Sequence, residues 1–162
     1  MRLVIISDSH GNYDGFKKIV LKHINEAEAF LFLGDGMTEY TEIKTEFSHV
    51  TFHAVKGNND IGWNEPLQRI VRYDNINILM LHGHTTPMFY FNEKVAELAK
   101  ENNAQIVLSG HTHVPKTDYL DGVHILNPGS IKYPRNGSKR SYGVIDITDT
   151  SIFKMIMEVP TQ

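Results

Sequence analysis

Met1-Arg2-Leu3-Val4-Ile5-Ile6-Ser7-Asp8-Ser9-His10-Gly11-Asn12 runs from four consecutive aliphatic residues straight into a polar cluster, and the reading of that junction decides the fold. Leu3 to Ile6, short and closed by turn-forming residues, reads as a strand. Tyr13 to Ile24 then places Phe16, Ile19, Val20 and Ile24 on one face of a helix. The alternation continues with Ala29 to Leu33 as strand, Thr38 to Phe47 as helix and Val50 to Val55 as strand. Ile76 to Leu81 and Ile106 to Leu108 are two more apolar runs, with a helical pattern over Phe91 to Glu101 between them. From Pro115 the pattern changes to short strands broken at Asp121-Gly122, Asn127-Pro128-Gly129-Ser130 and Thr148-Asp149-Thr150, ending in Ser141 to Ile147 and Ser151 to Val159. That half reads as antiparallel hairpins. An α/β fold of two stacked mixed β-sheets flanked by helices, an αββα sandwich, accommodates both halves. No linker or repeat divides the chain, so residues 1–162 are expected to form a single domain.

Composition narrows the chemistry. With 41% hydrophobic and 22% charged residues the chain has the make-up of a globular protein rather than a disordered one. The absence of cysteine excludes disulfides and thiolate metal sites, so any metal must be held by His, Asp, Glu or Asn. Such ligands suit manganese first, then nickel, magnesium, iron or zinc. No signal peptide or membrane-length apolar run is visible, which predicts a cytoplasmic protein that does not enter a membrane. A net charge of −3 argues against stable nucleic-acid binding, while small anionic substrates remain open. A homo-oligomer is not excluded.

Five polar loops follow predicted strands: Asp8-Ser9-His10, Gly34-Asp35-Gly36, Gly57-Asn58-Asn59-Asp60, His82-Gly83-His84 and Gly110-His111-Thr112-His113. Sites in open α/β sheets lie at such strand ends. Asp-x-His and His-x-His let both side chains of one loop turn toward a common center. Asp8, His10, Asp35, Asn58, His82, His111 and His113 together offer two carboxylates, four imidazoles and one amide oxygen. That set exceeds the needs of one ion and matches two ions about 3.5 to 4 Å apart sharing Asp35. Taken singly, Gly-Asp-Gly is a turn and a strand-end His a packing residue; five in this order are not separate accidents.

In this order the motifs resemble the calcineurin-like metallophosphoesterase superfamily, with its D-x-H, G-D, G-N-H-[DE], strand-end H and G-H-x-H series. The short length, the Asp8-Ser9-His10-Gly11-Asn12 opening, His82-Gly83-His84 and Asn127-Pro128-Gly129-Ser130 are similar to the small YfcE-type phosphodiesterase branch. The resemblance implies that Asp8, His10, Asp35 and His113 hold one divalent ion and that Asp35, Asn58, His82 and His111 hold the other. It further implies a small phosphoester substrate, a diester first, attacked in line by a hydroxide shared between the cations.

The chain departs from that pattern at Asn59, which stands where the family has the His thought to protonate the leaving group. Asn cannot act as a general acid near neutral pH, so charge stabilisation by donors such as Asn58 and Asn59 is the expected substitute. His84 is the other candidate for a catalytic role, as proton donor or as a residue orienting the cluster. The rival reading is a scaffold that resembles the retromer subunit of the same fold, whose hallmark would be broken ligands; every ligand position here keeps a coordinating side chain. Trp63 and Tyr13 read first as packing residues, Lys132, Arg135, Lys139 and Arg140 as a solvated loop, and His23, His49, His53 and His124 as surface or packing residues.

Overall fold

The computed structural model describes residues 1–161. Its elements run β1 (Arg2–Ile6), α1 (Tyr13–His23), β2 (Ala29–Phe32), α2 (Met37–Glu46), β3 (Phe52–Ala54), β4 (Gln68–Tyr73), β5 (Ile76–Leu81), α3 (Phe91–Glu101), β6 (Ile106–Ser109), β7 (Lys116–Leu120), β8 (Val123–Asn127), β9 (Ser141–Ile147) and β10 (Ile152–Glu158). Two five-stranded mixed sheets result, ordered β10-β9-β1-β2-β3 and β4-β5-β6-β8-β7. This is the expected αββα arrangement.

Side-chain alternation along each strand builds three apolar layers. Leu3 and Ile5 of β1, Leu31 of β2, Met80 of β5 and Leu108 of β6 point inward and meet between the sheets. Val4, Ile6, Phe30 and Phe32 point the other way and receive Phe16, Ile19 and Val20 from α1 with Met37, Tyr40 and Ile43 from α2. On the far side Leu79, Val107 and Ile125 receive Val95, Ala96 and Ala99 from α3. Each fully buried aliphatic side chain contributes about 1.5–3 kcal/mol, so the paired faces hold the sheets together without help from ions or disulfides.

The C-terminal hairpin is woven into the first half, since β9 pairs antiparallel with β1 through Leu3 opposite Ile145 and Val4 opposite Val144. The second hairpin, β7 with β8, joins its sheet through a parallel pairing of β8 with β6. The expected hairpins are present, but their inner strands, β9 and β8, are built into mixed sheets, with β10 and β7 at the edges. One strand escaped the sequence pattern: β4 carries Gln68, Arg69 and Arg72, and only Val71 of its six residues is buried. No helix among the described residues is long and apolar enough to cross a membrane.

Parallel strands β1, β2 and β3 in one sheet, and β5 and β6 in the other, bring their C-terminal ends to one edge of the molecule. The five polar loops all begin there.

Candidate metal centre

The strand-end loops converge because the backbone turns sharply as each strand ends. Asp8, His10, Asp35, His111 and His113 all adopt positive φ, between 40° and 67°. L-residues avoid that region, and a cluster of such residues marks a site where geometry is imposed by function. Two glycines permit the close approach: a methyl group on Gly34 would meet the backbone of Gly57, and one on Gly57 would meet the Asp35 carboxylate.

Two groups of donor atoms form at this edge, Asp8 with His10 and His113, and Asp8 with Asp35 and His82. Asp8 Oδ1 lies 3.0 Å from His113 Nε2, 3.7 Å from His10 Nε2 and 4.0 Å from His82 Nε2. Asp35 Oδ2 lies 3.5 Å from His82 Nε2 and 3.8 Å from His10 Nε2, so both carboxylates face both groups. In the structure Asp8 is the residue common to the two groups, although Asp35 was the residue expected to be shared. His111 belongs to neither group; its ring stands 5.2 Å from that of His82, and its backbone N–H donates to Asp8 Oδ2 at 3.1 Å. Asn58 is exposed in the neighbouring loop, and its side chain makes no hydrogen bond among the described residues.

The donor set fits divalent cations. His82 donates Nδ1–H to the carbonyl of Leu33 at 2.7 Å, and His113 donates Nδ1–H to that of Tyr133 at 2.7 Å. Each bond leaves the Nε2 lone pair turned toward the carboxylates, the orientation that metal-ligating histidines receive from their outer partners. Asp8 Oδ2 accepts from Ser7 Oγ at 2.6 Å, while the fully buried Oδ1 and the Nε2 of His82 have no hydrogen-bond partner. Buried polar atoms left this way cost free energy unless something satisfies them.

Electrostatics agree. Burial alone would push the Asp8 carboxyl up, but the neighbouring His10 and His113, with His82 and Ser7, outweigh it and hold it well below the carboxylate range. Asp35 is likewise pushed up by burial, yet His82 and the two donors of Asn59 bring it down to about 2. Burial opposes charge on His82, and Asp35 with Asp8 raises it nonetheless; in His113 the contact with Asp8 outweighs burial in the same direction. Burial and the nearby His82 push His84 and His111 down.

Four residues outside the candidate ligands build the scaffold of the site. Asp60 accepts four backbone N–H groups, from Asp35 at 2.7 Å, Gly57 at 2.8 Å, Gly36 at 2.9 Å and Met37 at 3.0 Å. It ties the Asp35 loop to the Asn58 loop and caps α2, whose N-cap Gly36 has no side chain to do so. Glu39 is buried in the first turn of α2 and accepts from the N–H of Gly11, bracing the Asp8–His10 loop. Nothing in the sequence around Glu39 signals this role. The Asn127–Ser130 turn does frame the site: Asn127 Nδ2 donates to the Gly110 carbonyl at 2.7 Å, and Ser130 Oγ donates to the Asp8 carbonyl at 2.8 Å.

Asn59 donates its backbone N–H to Asp35 Oδ1 at 2.9 Å and its amide to Asp35 Oδ2 at 2.6 Å. It therefore grips a carboxylate rather than leaving that amide donor free for a substrate. The His84 ring lies 5.4 Å from His82 and 6.2 Å from His111, with Nδ1 buried and without a partner. Trp63 packs against the first helical layer, and His23 is buried between Glu26 and Tyr142, as packing roles require.

Residues 1–150 match the model of the calcineurin-like phosphoesterase superfamily domain. A probable metallophosphoesterase of Bacillus subtilis, YsnB, is 30% identical over 147 residues, covering 91% of this chain and 85% of that protein. The phosphodiesterase YfcE of Escherichia coli is 25% identical over 170 residues, covering 90% of this chain and 88% of its own length. The crystal structure of a conserved protein of Streptococcus pneumoniae, predicted to be a phosphoesterase, superposes with a TM-score of 0.86 at 25% identity, covering 99% of this chain and 92% of that one. With the fold, the ligand loops and the family model in agreement, the chain belongs to the calcineurin-like phosphoesterase superfamily.

Proposed function

We propose that this protein is a divalent-metal-dependent phosphodiesterase in which Asp8, His10, Asp35 and His113 hold one cation and Asp35, Asn58, His82 and His111 hold a second. The observation that carries the reading is the convergence of two ionised carboxylates and three imidazole nitrogens, including the orphaned Asp8 Oδ1 and His82 Nε2, at one buried edge. A donor set of oxygen and nitrogen without sulfur suits manganese, nickel, iron or zinc, and manganese is the ion we propose. Bound there, such cations supply Lewis-acid activation of water and neutralise charge on the phosphoryl oxygens.

The protein's own residues do the rest. Leu33 and Tyr133 carbonyls fix the imidazole tautomers, and Asn59 fixes the rotamer of Asp35 so that it faces both donor groups. The loop of Lys132, Tyr133 and Arg135 packs on His113 through the Tyr133 carbonyl and the Arg135 N–H, and its basic residues would favour the approach of an anionic ester. Asn59 has no proton to give near neutral pH, and burial with His82 pushes His84 toward its neutral form. Esters whose leaving groups need no protonation, such as nitrophenyl diesters, are therefore the favoured substrates. The diester preference itself rests on the likeness to the E. coli phosphodiesterase.

The test is a substrate panel of diesters, monoesters and cyclic nucleotides, assayed after metal removal and again after manganese is returned. Turnover of bis(p-nitrophenyl) phosphate that is lost with the metal and returns with it supports the reading. Full turnover in chelator overturns it.

A further inference from the structure

Strand alternation on the outer face of the second sheet leaves a floor that α3 does not cover. Val107 and Ile125 face outward under α3, and the same alternation turns Ser109, one step along β6 beyond Leu108, and Asn127 to that face. These two residues lie past the N-terminal end of the helix, where a cleft of about 620 Å³ opens among Tyr90, Phe91, Thr112, Ile125, Asn127 and Lys116. That volume is in the range of small-molecule sites.

The cleft is joined to the metal centre by two walls. Thr112 stands between His111 and His113, its Cα about 3.8 Å from each of theirs. Phe91 packs its ring edge against Gly83, where a Cβ would lie 3.4 Å away, and Gly83 stands between His82 and His84. Part of the polar lining is already committed: Asn127 Nδ2 donates to Gly110 and Thr112 and its Oδ1 accepts from Gly129, while Asn92 donates to Asp118 and Lys116 lies 3.4 Å from the same carboxylate. Ile125, Phe91, Tyr90 and Met88, the last two 64% and 56% exposed, give a ligand apolar and aromatic surface, and Glu93 and Asn136 are further polar residues of the lining. Ring faces beside the Glu93 carboxylate, with Lys116 paired to Asp118, suit an uncharged ring better than a second phosphate.

We propose that this cleft receives the organic group that stays on phosphorus when the phosphodiester is cleaved, an uncharged aromatic ring, while the phosphate lies across the His111–His113 loop. The proposal rests on the phosphodiesterase reading above. Tyr90 and Phe91 supply ring faces, Ile125 the floor, and Lys116 at the mouth lies beside Asn127 in the register of β7 and β8.

Protein labelled at Met and Ile methyl groups and loaded with diamagnetic zinc is titrated with diphenyl phosphate and with dimethyl phosphate. Diphenyl phosphate is expected to shift the Met88 and Ile125 methyls, and dimethyl phosphate to leave them in place. Lys116→Trp, an exposed change that fills the mouth, is expected to abolish those shifts. It should also lower kcat/KM for bis(p-nitrophenyl) phosphate about tenfold and leave methyl p-nitrophenyl phosphate unchanged. Tyr90→Ala, which removes one wall, is expected to weaken diphenyl phosphate binding without filling anything. Equal shifts with both phosphates, or an equal loss on both esters, overturns the proposal. If no ester is hydrolysed with any metal, the phosphodiesterase reading fails, and the cleft is judged by the methyl shifts alone.

Discussion

Replacing Asp60 by Asn should unfold the architecture of the site from a residue that touches no candidate ligand side chain. Its Oδ2 takes the N–H groups of Asp35 and Gly57, and its Oδ1 those of Gly36 and Met37, all within 3.0 Å. Asn keeps the shape, so no cavity forms, but whichever way the amide turns its NH₂ faces two backbone donors. Two hydrogen bonds to a charged acceptor are lost, each worth about 1.5–3 kcal/mol, for a total of about 3–6 kcal/mol. Urea denaturation read by circular dichroism measures this as a lower midpoint at unchanged m-value. Because the two severed loops carry Asp35 and Asn58, manganese affinity should fall in the same variant. A stability within about 1 kcal/mol of the wild type would refute the view that Asp60 clamps the site.

Other outcomes follow from the same geometry. Asp35→Ala should lose more bound metal than His10→Ala, because Asp35 is proposed to touch both ions; equal metal content in the two variants, measured after dialysis, contradicts the bridge. His82 and His113, raised above the ordinary histidine value, stabilise the protein in chelator below pH 6.5 and lose that contribution as pH rises through their folded pKa values. Bound metal must displace those protons, so the manganese-induced rise in Tm should be larger at pH 8 than at pH 6. An equal rise at both pH values would show that these imidazoles are not ligands. Asn59→His should speed alkyl esters selectively, against the typical 10² to 10⁴-fold worth of a general acid, but by less than that because Asp35 loses its amide donor. If His84→Ala alone removes alkyl-ester turnover while Asn59→His gains nothing, His84 is the acid.

The candidate metal edge was legible because the polar loops follow aliphatic runs, and Leu3–Ile6, Ala29–Leu33 and Ile106–Leu108 are strands at nearly those limits. Phe91–Glu101 was readable to its ends, since Val95, Ala96 and Ala99 keep helical spacing. β4 was not, because an edge strand beside β5 alone carries Gln68, Arg69 and Arg72 and shows only one buried residue. Asp60 was visible only as the last residue of Gly-Asn-Asn-Asp, yet it serves four amides, three of them more than twenty residues away, and nothing in that motif signals it. Glu39 is hidden for the same reason: its place in α2 looks like a surface position, and only the approach of Gly11 from the first loop buries it. Side chains that bind metal leave a local signature of type and spacing, whereas side chains that hold loops together depend on tertiary distance.

Metal content and diester turnover measured on the same sample, as manganese is dialysed into chelator-treated protein, test the central claim most directly. The account predicts about two ions per chain at saturation, with hydrolysis of bis(p-nitrophenyl) phosphate absent before loading and rising with occupancy. A fully loaded protein inert on diesters, monoesters and cyclic nucleotides alike, or one that turns over fully with no metal bound, would contradict it.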